Sequence, residues 1–412
     1  MALQIVATRP DPAILSLPWS SPLEEWEDEV LVPLPRGLSR HVVRFVKLKD
    51  QVYAVKETRE RIALGEYRLL RDLSRLGLPC VEPVGVVTGR GLTDDGDEVE
   101  PALITRQLSY SMPYRALFSR GLRAESVPKL IDALVVLLTR LHLSGFYWGD
   151  CSLSNTLFRR SAGAFVAYLV DAETGELHDQ VSAGQRAYDL EIATSNLFAE
   201  ILDLQAGGQL SESLDPHETI TFLSDQYDAL WEELTGPEVF QTGQMWRIEQ
   251  RIRRLNDLGF DVDELDVVTD WDGATVRIEP KVVEAGHHTR RLQALTGLDV
   301  EDNQARRLLA DLDTYVAAND LYDEETPVVA HRWLTQVFEP IVRMVPPELW
   351  GKLEAAEIFH EVLEHRWYLS ERAGREVEIF DAATSYLDTV LRHHPDTKVT
   401  PPPSPDEADL LQ

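Results

Sequence analysis

Hydrophobic and polar positions along the first half of the chain predict strands, followed by helices. Residues 41–57 hold two β-branched runs joined by turn residues, which predicts a β-hairpin. Helical spacing covers 58–76, strand-like runs occupy 81–89 and 101–108, and 126–145 form a strongly apolar helix. Strands that precede helices in this way predict an α+β fold with two lobes.

The second half of the chain is mainly helical in its periodicity. Helical spacing predominates from 212 to about 260, and a small α/β insert (FDVDELDVV and ATVRIEPKVVE) precedes further helices. The Pro-rich, acidic C-terminal segment predicts a disordered tail. We therefore divide the chain into an irregular lead-in (1–35), a first lobe (36–108), a second lobe (109–211), a mainly helical domain (212–392) and a tail (393–412).

Two helix boundaries carry explicit signals. In the apolar helix 126–145, Ser126 is expected to be the N-cap, Pro128 to lie in the first turn, and Gly145 to end the helix. The helix 58–76 is closed by Gly77 and Pro79.

Composition narrows the classes of function. The 412 residues include 70 Asp and Glu against 40 Lys and Arg, a formal net charge of −30, so we expect no nucleic-acid partner. The arginines of 247–254 are a candidate basic patch, with a solvated helix face as the simpler alternative. Two cysteines, an N-terminus unlike a signal peptide and the lack of a long apolar run predict a cytoplasmic protein without a transmembrane segment.

Three residues follow one another in an order that is typical of phosphoryl transfer. In GFYWGDCSLSNTLF (145–158), Asn155 lies five residues after Asp150, and Asp171 ends the later strand-like run FVAYLVD. One carboxylate can accept the proton of an attacking hydroxyl, while an amide oxygen and a second carboxylate hold Mg²⁺. The alternative is a turn, because Asp and Asn both favour turns.

A lysine and a glutamate in the first lobe strengthen the chemical interpretation. Lys56 ends a β-branched run, from which its side chain can project into a cleft and contact phosphate oxygens. Glu66 lies on the apolar face of the next helix, where a carboxylate needs a partner. We therefore predict a Lys56–Glu66 pair, with Glu60 as the alternative partner. Gly37, with Ser39 nearby, is a candidate for a phosphate loop or for an ordinary turn.

Several other polar residues have simpler explanations. Asp189 is expected near a helix start, where the helix dipole favours an acid, and His142 is expected to be a hydrogen-bonded core histidine. Residues 287–288, both His, lack metal-ligand spacing and are expected at a helix start or in a loop near the arginines 290–291, a candidate anion contact.

Taken in order, these residues resemble the protein-kinase-like fold. The catalytic loop and the segment EYRLLRDLSRLGLPCVEPVG resemble the bacterial lipopolysaccharide (Kdo/heptose) kinase branch over roughly residues 30–210. The remainder resembles the C-terminal domain of an uncharacterised bacterial family that joins a kinase-like region to a domain of unknown function. The resemblance implies an antiparallel sheet plus helix as N-lobe, a helical C-lobe, and ATP and Mg²⁺ as cofactors.

The resemblance also implies a role for each matching residue. Lys56 would contact the α/β-phosphates and pair with Glu66, Asp150 would be the catalytic base, and Asn155 and Asp171 would bind Mg²⁺. The other implied roles are support of the catalytic loop by Asp189, phosphate contact by Gly37 and Ser39, and adenine contact by a hinge at Ile104, Thr105, Arg106, Gln107 and Leu108.

The sequence departs from the kinase pattern at three points. Trp148 stands where the fold usually has histidine, the metal motif reads Asp171-Ala172-Glu173, and Gly37 is the one glycine of the phosphate loop. The favoured hypothesis is a phosphotransferase that acts on a hydroxyl of a sugar, a small molecule or a protein. The alternatives are a nucleotide-binding pseudokinase that meets a protein partner through 212–392, and a helical interaction protein with an accidental motif.

Overall fold

The structure is a computed structural model, and its described part divides into two compact units. The described residues are 2–8, 11–27, 30–34, 41–49, 51–93, 95–119, 122, 124–244, 246–269 and 275–394. The first unit contains the described residues of 1–159 and 166–225, and the second contains 160–165 and those of 226–397.

A five-stranded antiparallel sheet forms the first part of the first unit, with the order β1-β4-β5-β3-β2. Its strands are β1 (Gln4–Ala7), β2 (Val43–Leu48), β3 (Gln51–Glu57), β4 (Pro83–Thr88) and β5 (Ala102–Arg106). The predicted hairpin is confirmed, since β2 pairs with β3 in a register that sets Val43 opposite Lys56. The central strands β4 and β5 are almost wholly buried, as their continuous apolar runs require.

Helix α1 (Glu60–Arg75) packs on this sheet and confirms the helix predicted there. Its buried residues recur at spacings of three and four, so one face meets the sheet. They are Ala63, Glu66, Tyr67, Leu70 and Leu73. A carboxylate therefore lies in an otherwise apolar stripe.

The segment predicted to be an irregular lead-in contains ordered structure, so that expectation was wrong for part of it. β1 pairs with β4, and Trp19 and Trp26 are buried in the core of the sheet. A Cβ on Gly85 of β4 would lie 2.9 Å from the Cβ of Ala7. The close approach of β1 depends on that glycine, a tertiary contact that a four-residue strand does not reveal.

Helices and two small sheets complete the first unit. Its further elements are β6 (Ser111–Pro113), α2 (Tyr114–Ser119), α3 (Val127–Leu143), β7 (Phe146–Tyr147), β8 (Thr156–Ser161), β9 (Ala164–Leu169), β10 (Glu176–Leu177) and α4 (Ala183–Ala206), followed by α5 (Pro216–Thr235). β6, β8 and β9 form one sheet and β7 pairs with β10. The predicted cap on α3 is wrong: Ser126 has helical dihedrals and its side chain makes no capping bond, because a 3₁₀ turn leads into the helix.

The second unit contains a three-stranded sheet, of which two strands coincide with the predicted α/β insert and one lies in the region predicted to be helical. The strands of this sheet are β11 (Glu238–Gln241), β12 (Phe260–Thr269) and β13 (Thr275–Ala285), and their spatial order is β11-β13-β12. Helix α6 (Trp246–Asp257) lies between β11 and β12 in sequence. The helical prediction over 212–260 was wrong at β11, because pairing with β13 overrides the local preference of four residues.

The arginines of α6 form a paired cluster. Arg251 is buried and donates to the backbone carbonyls of Glu233 and Gly236, and its guanidinium lies 3.4 Å from Glu238. Arg254 also pairs with Glu238, at 2.9 Å. The interpretation as a solvated face was therefore wrong for Arg251, which supports the packing of β11 against α6.

Helices make up the rest of the second unit. They are α7 (His287–Thr296), α8 (Asp302–Ala318), α9 (Thr326–Trp333), α10 (Glu339–Arg343), α11 (Ala355–Ala373) and α12 (Ile379–Thr389). A π-helical turn at 334–338 joins α9 to α10, directly before Pro340, whose missing N–H weakens regular helical bonding there. A continuous apolar core centred on Trp333 and Phe359 holds these helices together.

The observed elements confirm an α+β fold. In the part of the chain that the structure describes, no helix is long and apolar enough to cross a membrane.

Candidate active site

Lys56 is held between two carboxylates in the first unit. It projects from β3, and its Nζ lies 2.9 Å from Glu66 Oε2 on α1 and 2.9 Å from Asp171 Oδ2. The predicted Lys56–Glu66 pair is thus formed, while the alternative partner Glu60 is exposed in the first turn of α1. These two hydrogen bonds fix the position of the lysine head group.

The electrostatics of this trio differ from residue to residue. Burial lowers the pKa of Lys56, but the charges of Glu66 and Asp171 outweigh it, so the pKa of Lys56 is raised and the ammonium persists. Burial, reinforced by the charge of Asp171, raises the pKa of Glu66 to about 7 despite the nearby lysine. Asp171 is partly exposed, with 27% of its side chain accessible. Glu66 therefore gains a proton more readily than an ordinary glutamate.

A β-hairpin brings Asn155 and Asp171 together. Asn155 directly precedes β8, and Asp171 follows β9 by two residues. The two ends of the hairpin are joined by a 3.1 Å bond from the Val170 N–H to the Asn155 carbonyl. Asp171 Oδ1 accepts the N–H of Glu173 at 3.0 Å, which fixes the rotamer of the carboxylate.

Asp150 is held by two side-chain amides, one on each oxygen. Asn155 Nδ2 donates to Asp150 Oδ2 at 3.0 Å and to the Asp150 carbonyl at 3.0 Å. Asn196 Nδ2 donates to Asp150 Oδ1 at 3.3 Å. Each carboxylate oxygen has two lone pairs, so capacity to accept a further proton or hydrogen bond remains.

Asp189 and Trp148 support the backbone of this loop. Asp189 is fully buried within α4 and accepts the N–H groups of Trp148 and Gly149 at 2.8 and 2.9 Å, and it also bonds His142 at 3.1 Å. His142 is thus a hydrogen-bonded core histidine. The buried Trp148 donates its indole N–H to the Asp171 carbonyl at 2.9 Å. The unusual tryptophan links the Asp150 loop directly to Asp171.

Glu173 and His41 form a further pair beside the lysine. His41 Nε2 lies 2.9 Å from Glu173 Oε2, which is itself 3.7 Å from Lys56 Nζ. Glu173 stands at the second position after Asp171. Three carboxylates therefore lie within 4 Å of Lys56 Nζ, and Glu173 is the third of them.

Part of this group lines one cavity of about 630 Å³, a volume typical of small-molecule sites. The lining includes Lys56, Asp150, Asn155 and Asp171. The cavity of the first unit therefore contains the predicted base, both predicted metal ligands and the predicted phosphate-binding lysine.

The hinge residues take different positions. Thr105, Arg106 and Gln107 line the cavity, whereas Ile104 is buried in the sheet core and the Leu108 carbonyl accepts the Ser111 hydroxyl. The Gln107 N–H donates to the Val52 carbonyl and the Arg106 N–H to the Glu82 carbonyl. Gly37 and Ser39 lie outside the described residues.

The donor set near Asp150 suits a magnesium ion. Mg²⁺ prefers oxygen ligands and is commonly held by one or two carboxylates together with substrate phosphates. Asn155 contributes an amide oxygen and Asp171 a carboxylate, and both face the same cavity. Over the described part of the chain, no cluster of three or more His, Cys, Asp or Glu residues is arranged to hold a metal by itself.

The two histidines at the start of α7 are matched with carboxylates. His287 bonds Asp261, and His288 Nδ1 lies 2.8 Å from Asp302 Oδ2. Arg290 also pairs with Asp261. The prediction of a helix start is confirmed, and the acids occupy the position suggested for an anion.

Three residues of the cavity were missed by the sequence analysis: Asn196, Glu200 and His41. Glu200 accepts the N–H groups of Leu153 and Ser154 at 2.9 and 2.8 Å. Asn196 and Glu200 follow Asp189 by seven and eleven residues and so share its helical face. That spacing is the sequence signal from which the two residues could have been predicted to lie at the site. His41 carried none, because its contact is made across 132 residues of sequence.

Comparisons with known proteins identify relatives of parts of the chain. A family model described as "Domain of unknown function (DUF4032)" matches residues 229–391, less than half of the chain. Among solved structures, the chain is similar to "WaaP in complex with acyl carrier protein", with 17% sequence identity and a TM-score of 0.33, over 56% of this chain and 100% of that chain. No curated protein matches.

Proposed function

We propose that the first unit is an ATP- and Mg²⁺-dependent phosphotransferase that acts on a hydroxyl group. The observation that supports it most strongly is the position of Lys56, bonded to both Glu66 and Asp171 in the cavity that also contains Asp150. A lysine oriented by a buried glutamate and bonded to a second carboxylate is the arrangement that protein kinases use for phosphoryl transfer.

Each residue has a defined task in this proposal. Lys56 contacts the nucleotide phosphates while Glu66 holds its ammonium in place. Asp150 would accept the proton of the acceptor hydroxyl while the hydroxyl oxygen attacks the γ-phosphorus in line; the bond from the γ-phosphorus to the β–γ bridging oxygen would break and ADP would leave. Asn155 and Asp171 would hold Mg²⁺, which would neutralise charge on the phosphates. Trp148 and Asp189 keep the Asp150 loop in register with Asp171.

The alternative is a pseudokinase that binds nucleotide without transfer and acts as a regulator through the C-terminal half. One observation favours it: both oxygens of Asp171 already carry a hydrogen bond, from Lys56 Nζ and from the Glu173 N–H. A bound metal would have to share these oxygens. Measurement of ATP turnover distinguishes the phosphotransferase from the pseudokinase.

Nucleotide binding is the first test. Calorimetry of the full chain with ATP, with and without Mg²⁺, should give binding that depends on the metal. Lys56→Ala should weaken it by roughly 10- to 100-fold, the loss expected for charge-assisted hydrogen bonds. Lys47→Ala is the matched control, since Lys47 is exposed on the adjacent β2. A native chain that binds no Mg·ATP would refute both hypotheses.

Turnover is the second test, with water as the acceptor and ADP as the measured product. Asp150→Asn keeps the shape of the side chain and removes the base, so the rate should fall by roughly 10²- to 10⁴-fold. Asp225→Asn, at an exposed position of α5, should leave the rate unchanged. Binding without turnover, equal in native and Asp150→Asn protein, would establish the pseudokinase instead.

A further inference from the structure

Three polar residues form one stripe along α4. Asp189, Asn196 and Glu200 are separated by seven and four residues, so their side chains project from the same face of the helix. They contact the loop 148–154 in the same order as they occur on the helix. The loop that contains Asp150 thus runs along α4.

Asn196 is the middle residue of the stripe and contacts Asp150 directly. Its Nδ2 donates to Asp150 Oδ1 at 3.3 Å and to the Cys151 carbonyl at 3.0 Å. Asn155 donates to the other oxygen, Oδ2, at 3.0 Å. With one donor on each oxygen, rotation of the Asp150 carboxylate about its terminal bond would break both hydrogen bonds. Asn196 therefore fixes the plane of the carboxylate.

Glu200 holds the next part of the loop. Its Oε2 accepts the Leu153 N–H at 2.9 Å, and its Oε1 accepts the Ser154 N–H at 2.8 Å and the Ser154 hydroxyl at 2.5 Å. Burial raises the pKa of this carboxyl, although the bonds from Ser154 and Leu153 oppose the rise. A buried acid with three donors from two consecutive residues fixes the turn that leads into Asn155.

We propose that Asn196 and Glu200 are positioning residues for phosphoryl transfer: together they set the orientation of the Asp150 carboxylate toward the acceptor hydroxyl. This inference rests on the proposed function. Asn196 acts on Asp150 itself. Glu200 acts through the 153–154 turn on Asn155, the second amide that holds Asp150. Neither residue needs to contact the nucleotide.

The first experiment replaces Asn196 by its isostere, Asn196→Asp. The variant keeps the shape, loses the donor and places a second carboxylate beside Asp150. We expect kcat for ATP hydrolysis to fall by about 100-fold with the KM for Mg·ATP unchanged, because the base and not the phosphate contact is misplaced. Ser195→Asp adds the same charge on the exposed side of α4 and should be neutral. Asn196→Ala repeats the test without added charge.

The second experiment measures the loop independently of turnover. Glu200→Gln removes the charge and turns one acceptor into a donor, so a backbone N–H of Leu153 or Ser154 loses its partner. Hydrogen exchange of these amides should accelerate by about 10- to 100-fold. Glu191→Gln, exposed on the same helix, should leave exchange unchanged.

The outcomes are separable. Unchanged exchange in Glu200→Gln, or an Asn196→Asp variant with native kcat, would overturn the positioning role. A change in KM alone would also overturn it, since it would assign Asn196 to nucleotide binding. Faster exchange in Glu200→Gln together with a native chain that never hydrolyses ATP would refute the proposed function while showing that the loop is held as described.

Discussion

The buried carboxyl of Glu66 gives the most quantitative prediction. Its pKa rises from an ordinary value of 4.5 to about 7, so the folded state binds this proton more tightly than the unfolded state does. A raised folded-state pKa contributes stability that is fully present below pH 4.5 and is lost as pH rises through 7. At about 1.4 kcal/mol per unit of pKa, the contribution is about 3 kcal/mol. The Glu66 side chain is only 1% exposed, so solvent screening does not reduce it.

Glu66→Gln removes this titration while it keeps the shape of the side chain. Relative to the variant, the native protein should lose about 3 kcal/mol of stability between about pH 4 and pH 8. Hydrogen exchange of α1 amides measures the difference locally, and comparison at equal pH cancels the intrinsic exchange rate. The ratio of exchange rates should change by roughly 100-fold across this range.

Glu60→Gln supplies the control for this series. Glu60 lies exposed in the first turn of α1 and should produce a ratio that is independent of pH. Parallel profiles of native and Glu66→Gln protein would show that Glu66 titrates normally. The assignment of a raised pKa to this buried acid would then be wrong.

Three further variants test the packing around the site and in the second unit. Trp148→Phe removes the indole bond to the Asp171 carbonyl and should cost about 1–2 kcal/mol, measured by exchange of the Asp150 loop. Arg251→Ala should destabilise the second unit by about 3 kcal/mol in thermal unfolding, because it leaves buried acceptors unpaired, whereas the exposed Arg253→Ala should have little effect. Gly85→Ala should displace β1 and speed exchange at 4–7.

The features of the site that the sequence predicted are those that can be recognised from the local spacing and order of residues. Glu66 was identified because a carboxylate on an apolar helical face needs a partner, and Lys56 ends the preceding strand. The order of Asp150, Asn155 and Asp171 followed from a loop between a helix and a hairpin. Such signals require only the 3.6-residue and two-residue periods of helix and strand.

The features that the sequence did not predict arise from contacts between distant segments. The role of Trp148 depends on a carbonyl 23 residues away, and β11 forms because a later strand pairs with it. Asn196 and Glu200 look like ordinary polar residues of a helix until the loop lies along it. Where the structure differs from the local sequence pattern, the cause is therefore a contact between segments that are distant in sequence.

In the proposed function, the charges of the site favour binding of nucleotide and metal together. The Lys56 head group is surrounded by Glu66, Asp171 and Glu173, and the cavity is also lined by Asp150 and Glu200 and by Arg44 and Arg106. A polyphosphate entering alone would meet the three carboxylates around Lys56, and a cation entering alone would have to compete with Lys56 for Asp171. When both enter, the phosphates would offer Lys56 a new partner and release Asp171 to the metal. In the proposed function, exchange of the Lys56–Asp171 contact therefore couples binding of the two ligands.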